Sequence, residues 1–215
     1  MKLAKKNAYA FEKEVYDLST GETAELKFHS SCMNIKVNDN QFEYFVQGSN
    51  VQSKDMPVEK LKMFLSVFAT LKERVLWKFE NESIQNLPTN VMIKSWLPQS
   101  DILAHANVKV FITHGGLFGT QEGVHNAVPM LGMPIYCDQH LNMRKAVQNG
   151  YAISLHFPDI TKEILKDSLE KLLYDAYYRN NIKRISGIFH DRPLPARETA
   201  IYWIEYVIRH KGARI

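Results

Sequence analysis

The chain has 215 residues, of which 45% are hydrophobic and 23% charged, enough apolar material for one sizeable domain and not the composition of a disordered chain. Its formal charge of +4 is a mild surplus that helps an anionic ligand approach, and no Lys/Arg run is dense enough to bind a nucleic-acid backbone. Cys32 and Cys137 have no Cys-x-x-Cys spacing and read as two free, buried thiols, while His105, His125, His140 and His156 show no metal-ligand spacing, so no metal is expected.

Residues 1–41 carry no motif. "MKLAKKNAYAF" is basic but lacks the apolar stretch of a signal peptide, "LSTGET" is a turn signal, and residues 24–39 alternate loosely, as in a weak strand. From Phe42 the pattern sharpens. "FEYFVQ" (42–47) predicts a strand. Residues 57–73 predict a helix with Leu61, Phe64, Leu65, Phe68 and Leu71 on one face, Pro57 in its first turn and Asp55 as its cap. Strands are predicted at 74–79, 90–96, 108–114, 128–136 and 151–155, with helices at 100–106, 116–126 and 138–150, the last stopped by Gly150. Residues 161–189 and 194–212 read as helical, the first starting at Thr161 and Glu163. The apolar run Val128–Cys137 falls far short of the about 20 residues of a membrane helix. Asn81–Ser83 match a glycosylation sequon, which matters only in a secretory compartment.

Strands alternating with helices predict an α/β fold: a Rossmann-like parallel sheet sandwiched by helices over 42–215, after an unassigned segment 1–41. The focus is "FITHGGLFGTQEG", Phe111–Gly123, where a buried strand runs through glycines into a helix. Free N–H groups in the first helical turn and the helix dipole make such a junction an anion site, although a tight turn without a ligand uses the same residues. A nucleotide-triphosphate loop needs a lysine after its last glycine, and here Gly119 precedes Thr120 and Gln121. A dinucleotide site needs G-x-G-x-x-G with an acid about 20 residues on, and here the glycines read GG-x-x-G, after the fourth strand rather than the first, with Glu122 only three residues beyond the last. Neither spacing fits. His114 can donate to a phosphate, whereas Glu122 would repel phosphate and can accept from sugar hydroxyls.

The run from Trp96 to Gly150 resembles the signature segment of the UDP-glycosyltransferases. The matching positions are W-x-P-Q at Trp96–Gln99, F-I-T-H-G-G at Phe111–Gly116, Glu122, Pro129, Pro134 and Asp138-Gln139. "GSN" at Gly48–Asn50, "RVLWKFE" and the C-terminal "FHDRPLPARETAIYWIEYVIRHKGA" resemble the animal, insect-like branch, over about Tyr44 to Arg214. The resemblance implies the C-terminal, donor-binding half of a GT-B fold. By position, Trp96 would stack on uracil and Gln99 would bind near the uridine. His114, Gly115, Gly116 and Gly119 would hold the diphosphate, with Ser49 opposite and Thr120 nearby. Glu122 would accept from the ribose, and Asp138 and Gln139 would bind the transferred sugar. Many relatives carry asparagine and serine where this chain has Phe118 and Gly119, which removes two side-chain contacts to phosphate.

The implied reaction is an inverting transfer of a hexose, with glucose favoured, from a UDP-sugar to a small lipophilic acceptor. The UDP-sugar is a co-substrate, and no cofactor or nucleic acid is implied. The general base of such enzymes belongs to the N-terminal acceptor domain, so no catalytic residue is assigned in this chain, and no transfer is expected from it alone. The alternative is a non-catalytic fragment that binds a nucleotide sugar or pairs with an acceptor domain or a homologue; a dinucleotide oxidoreductase is disfavoured by spacing. The family implies the luminal face of the endoplasmic reticulum membrane, while this chain shows no signal peptide or spanning segment and is expected to be soluble.

Overall fold

The computed structural model describes residues 56–80 and 84–212 in full, and the backbone of three strands at 14–16, 23–25 and 44–47. The chain divides into two units, Met1–Val37 and Asn38–Ile215. In the first, β1 (Glu14–Tyr16) pairs antiparallel with β2 (Thr23–Glu25). A strand at 14–16 was not legible in the sequence, since three residues carry no periodicity.

The second unit is built on six parallel strands: β3 (Tyr44–Gln47), β4 (Val75–Lys78), β5 (Val91–Lys94), β6 (Val110–Thr113), β7 (Met130–Gly132) and β8 (Ala152–Ser154). Their spatial order is β5-β4-β3-β6-β7-β8. Counted from β3 as the first, this is the 3-2-1-4-5-6 order of a doubly wound sheet, as the alternation predicts. The order reverses between β3 and β6, where Gln47 pairs with Thr113 at the strands' C-terminal ends. Every residue of β6 is buried, as expected of a central parallel strand.

Helix α1 (Val58–Phe68) presses Phe64, Val67 and Phe68 into the core, where Phe68 meets Trp77 edge to face at 5.5 Å. It is shorter than its periodicity predicts. The Asn90 side-chain amide donates to the carbonyls of Phe68, Leu71 and Glu73, which gives the chain after the helix its own partners. Pro57 is the N-cap of α1 rather than a first-turn residue, and the predicted cap Asp55 lies outside the described residues. Helices α3 (Leu117–His125) and α4 (Gln139–Gln148) lie within their predicted spans, whereas α2 (Gln99–Leu103) starts one residue earlier than predicted and ends three residues sooner; Gly150 closes α4 in the left-handed region at φ 73°.

The predicted helical run 161–189 is two helices, α5 (Lys162–Tyr174) and α6 (Ala176–His190). Asp175 separates them: its backbone is extended and its side chain accepts from Tyr177 N, so it caps α6 instead of continuing α5. Thr161 caps α5 by accepting from Ile164 N, as its sequence position suggested. Helix α7 (Ala196–Arg209) is amphipathic in sequence but buries none of its residues, leaving Trp203, Ile204, Val207 and Ile208 exposed. No helix among the described residues is long and apolar enough to cross a membrane.

Candidate functional site

The glycine turn follows β6, so the fold places it at the C-terminal end of the sheet beside the strand-order reversal. In open α/β sheets this is where ligands bind. Thr113, the last residue of β6, is buried, and its hydroxyl accepts from Gly115 N at 3.2 Å, which starts the turn. Gly115 stands at φ 79°, a conformation that favours glycine. A Cβ on Gly115 would also lie 2.4 Å from Met143 Cγ. Met143 is fully buried and fills the space over both Gly115 and Gly132, so both glycines admit the same α4 side chain.

Gly116 is the N-cap of α3 and offers no side-chain acceptor, and the first turn contains no acid. The first intrahelical bond runs from Thr120 N to Gly116 O, so helical geometry leaves the N–H groups of Leu117, Phe118 and Gly119 without a carbonyl in their own helix. The positive end of the dipole is therefore unneutralised by side chains of that turn. His114 lies against this start: a Cβ on Gly116 would meet its Nε2 at 2.6 Å. At Gly119 a Cβ would meet only ordinary contacts, with Thr113 Oγ1 at 3.6 Å and Gln99 Nε2 at 3.7 Å. Phe118 is exposed. Thr120 is buried, and its hydroxyl has no hydrogen-bond partner among the described residues.

On the other side of the turn, Leu97 and the α2 residues Ile102 and Leu103 are buried and anchor the segment after β5. Trp96, next to Leu97, is exposed with 54% of its surface free, the state a stacking indole requires. Helix α2 runs beside α3. Gln99 Nε2 donates to Glu122 Oε2 and Ser100 Oγ donates to Oε1. The W-x-P-Q segment and the glutamate 23 positions later thus meet directly.

Beyond β7, Gln139 is buried and its Oε1 accepts from Ile135 N at 2.9 Å and Tyr136 N at 3.2 Å. That oxygen holds the preceding turn, which leaves the amide nitrogen as the group a ligand can use. Asp138 occupies the N-cap position of α4 without capping it. Its exposed carboxylate accepts from Asn142 Nδ2 at 2.8 Å, and the same amide donates to Gly115 O at 3.1 Å. Cys137 is free but exposed, not buried as expected, because its residue lies at φ 55° in the exposed turn before α4. Cys32, Ser49 and the sequon at 81–83 lie outside the described residues. No cluster of three or more metal-ligating side chains occurs among the described residues.

Ser100, Asn142 and Met143 were missed in the sequence. Asn142 stands four residues after Asp138 on a predicted helix, a spacing that brings side chains together, so that pair had a signal. Ser100 and Met143 act across elements and had none.

The profile of the UDP-glucoronosyl and UDP-glucosyl transferase family matches residues 25–215. The chain belongs to this family. The match reaches further toward the N-terminus than the motifs, which begin near Tyr44. UDP-glucosyltransferase 2 of Dactylopius coccus is 44% identical over 170 residues, covering 79% of this chain and 33% of its own. A UDP-glucuronosyltransferase of Pleuronectes platessa is 42% identical over 175 residues, covering 81% of this chain and 37% of its own. This chain therefore spans about a third of the length of these curated relatives. Solved GT-B glycosyltransferases share the fold. One is the UDP-glucose:anthocyanidin 3-O-glucosyltransferase in complex with UDP, with a TM-score of 0.63 and 24% identity, covering 73% of this chain and 37% of that one.

Proposed function

We propose that this chain binds the donor in an inverting UDP-glycosyltransferase, holding a UDP-sugar at the C-terminal end of its sheet. The observation that carries the reading is the meeting of two separate features at the strand-order reversal. A helix start whose first N–H groups have no carbonyl within their own helix is suited to phosphate, and beside it a carboxylate held by Gln99 and Ser100 is suited to sugar hydroxyls. The α3 amides and His114 take the diphosphate, with Thr120 nearby and Ser49 contributing from the segment after β3. Trp96 stacks on the uracil, Gln99 and Glu122 bind the ribose, and Asp138 with the Gln139 amide binds the transferred sugar. Glucose is the favoured sugar, in keeping with the glucosyltransferase relative from Dactylopius coccus. Residues 42–215 form the donor domain.

In the transfer, an acceptor hydroxyl attacks the anomeric carbon, the C1–O bond to the diphosphate breaks and UDP leaves. The α3 N-terminus and His114 meet the charge that grows on the departing diphosphate. The acceptor, a small lipophilic alcohol or phenol, and the base that takes its proton belong to an acceptor domain outside these residues. This chain alone binds the donor without turnover; the same site would serve a fragment that only binds nucleotide sugar or pairs with a homologue. The test is UDP release from UDP-glucose with and without a phenolic acceptor. Acceptor-dependent release by these 215 residues alone would refute the assignment of the base elsewhere. His114→Ala should weaken UDP more than uridine, and equal losses would rule out the diphosphate role.

A further inference from the structure

We propose that Ser100 is a positioning residue for the Glu122 carboxylate, and that with Gln99 it presets both carboxylate oxygens for the vicinal hydroxyls of a ribose. The proposal rests on the reading of Glu122 as the ribose acceptor and goes one residue beyond it.

The contact pattern is specific. Gln99 and Ser100 are consecutive residues at the start of α2, and they reach different oxygens of one side chain on α3. A carboxylate has about four lone-pair sites, two on each oxygen. The two donors take one site on each oxygen and leave one on each. One remaining site on each oxygen gives each O–H of a vicinal diol its own acceptor. Had both donors met one oxygen, the diol would find a lopsided acceptor.

The last torsion of a glutamate is broad, so an unheld carboxylate rotates freely and must be ordered when the ligand binds. A hydrogen bond on each oxygen fixes the plane in advance. Both donors are neutral, so the negative charge is left for the ribose. A lysine or arginine here would compete with it. Ser100 lies on the exposed side of the pair and Gln99 on the half-buried side, so Ser100 is also the donor that can shift as the ribose arrives without disturbing the core. Asn126 adds a bond from its amide to the Glu122 carbonyl at 2.9 Å, which steadies the backbone at that position but not the carboxylate.

The test is calorimetric titration of the 215-residue chain with UDP and with 2′-deoxy-UDP, which lacks one of the two hydroxyls. The unaltered chain should prefer UDP. Ser100→Ala should reduce that preference by about three- to tenfold, the scale of one hydrogen bond. Ser100→Thr, which keeps the hydroxyl, should restore it. Glu122→Ala should abolish the preference, and adding Ser100→Ala to it should change nothing more, since the two act as a unit. Circular dichroism of each variant separates these effects from unfolding. Preference lost in Glu122→Ala but intact in Ser100→Ala would overturn the role of Ser100 alone. Preference intact in Glu122→Ala would overturn the ribose reading and the proposal with it, as would no binding of either nucleotide by the unaltered chain.

Discussion

The two sides of the glycine turn make different demands on the same residue type. On the α4 side, Gly115 and Gly132 surround Met143, and an added Cβ would stand within 2.4 Å and 2.2 Å of it, respectively. On the α2 side, a Cβ on Gly119 would meet ordinary van der Waals contacts only, at 3.6 Å or more. Glycine at 115 is dictated by packing and backbone conformation, whatever ligand binds. Glycine at 119 is not dictated by packing, so its effect falls on the ligand.

The largest test of this contrast is Met143→Ala. Removing a fully buried methionine should cost about 2–5 kcal/mol in denaturant unfolding. A loss under 1 kcal/mol would mean that the wedge between the glycines is not tight. Gly115→Ala should cost about 1–3 kcal/mol through left-handed strain and overpacking. Part of that cost should vanish in a Met143→Ala background; simple additivity would argue that Met143 is not what crowds Gly115.

A smaller effect is expected where α3 meets α6. The rings of His125 and His190 lie 4.4 Å apart. Partial desolvation, and then the neighbouring His190, hold the His125 pKa below its ordinary 6.5. The unfolded chain therefore takes up this proton more readily than the folded one. The stabilising contribution is complete above pH 6.5 and is lost as the pH falls through the lower folded value. The thermal midpoint should therefore drop slightly as the pH falls from 6.5 to that lower folded value, and less so in His125→Gln. The effect is small because the ring is exposed and solvent screens the pair. An equal drop in both proteins would remove His125 as the cause.

The smallest stability change should come from Gly119→Ser, within about 0.5 kcal/mol. The same substitution should strengthen UDP binding, because it offers a hydroxyl at the helix start where Phe118 and Gly119 supply no polar side chain. A destabilisation comparable to that of Gly115→Ala would erase the difference between the two sides.

Legibility in the sequence followed the range of the interaction. The six parallel strands were readable because each is a local apolar run, and β6 is the clearest, buried at every position. The motif positions share one segment, and the structure brings two of them, Gln99 and Glu122, into contact. Features that depend on distant partners were not readable. The Ser100–Glu122 contact joins two helices, and the Met143 wedge joins α4 to two strand ends. Asp175 reads as one more polar residue in a helical pattern, and only its capping bond shows that it ends one helix and starts another. Helices α5 and α7 look alike as amphipathic patterns, yet α5 buries Leu165, Leu169 and Leu172 while α7 buries nothing. Amphipathicity specifies a face to cover and not what covers it.

The turn after β6 is proposed to serve a uridine diphosphate and not a dinucleotide. Calorimetry of the chain with UDP, UDP-glucose and NAD tests it most directly. Saturable binding of UDP and UDP-glucose at one site, and none of NAD, is the expected result. Binding of NAD without UDP would contradict it.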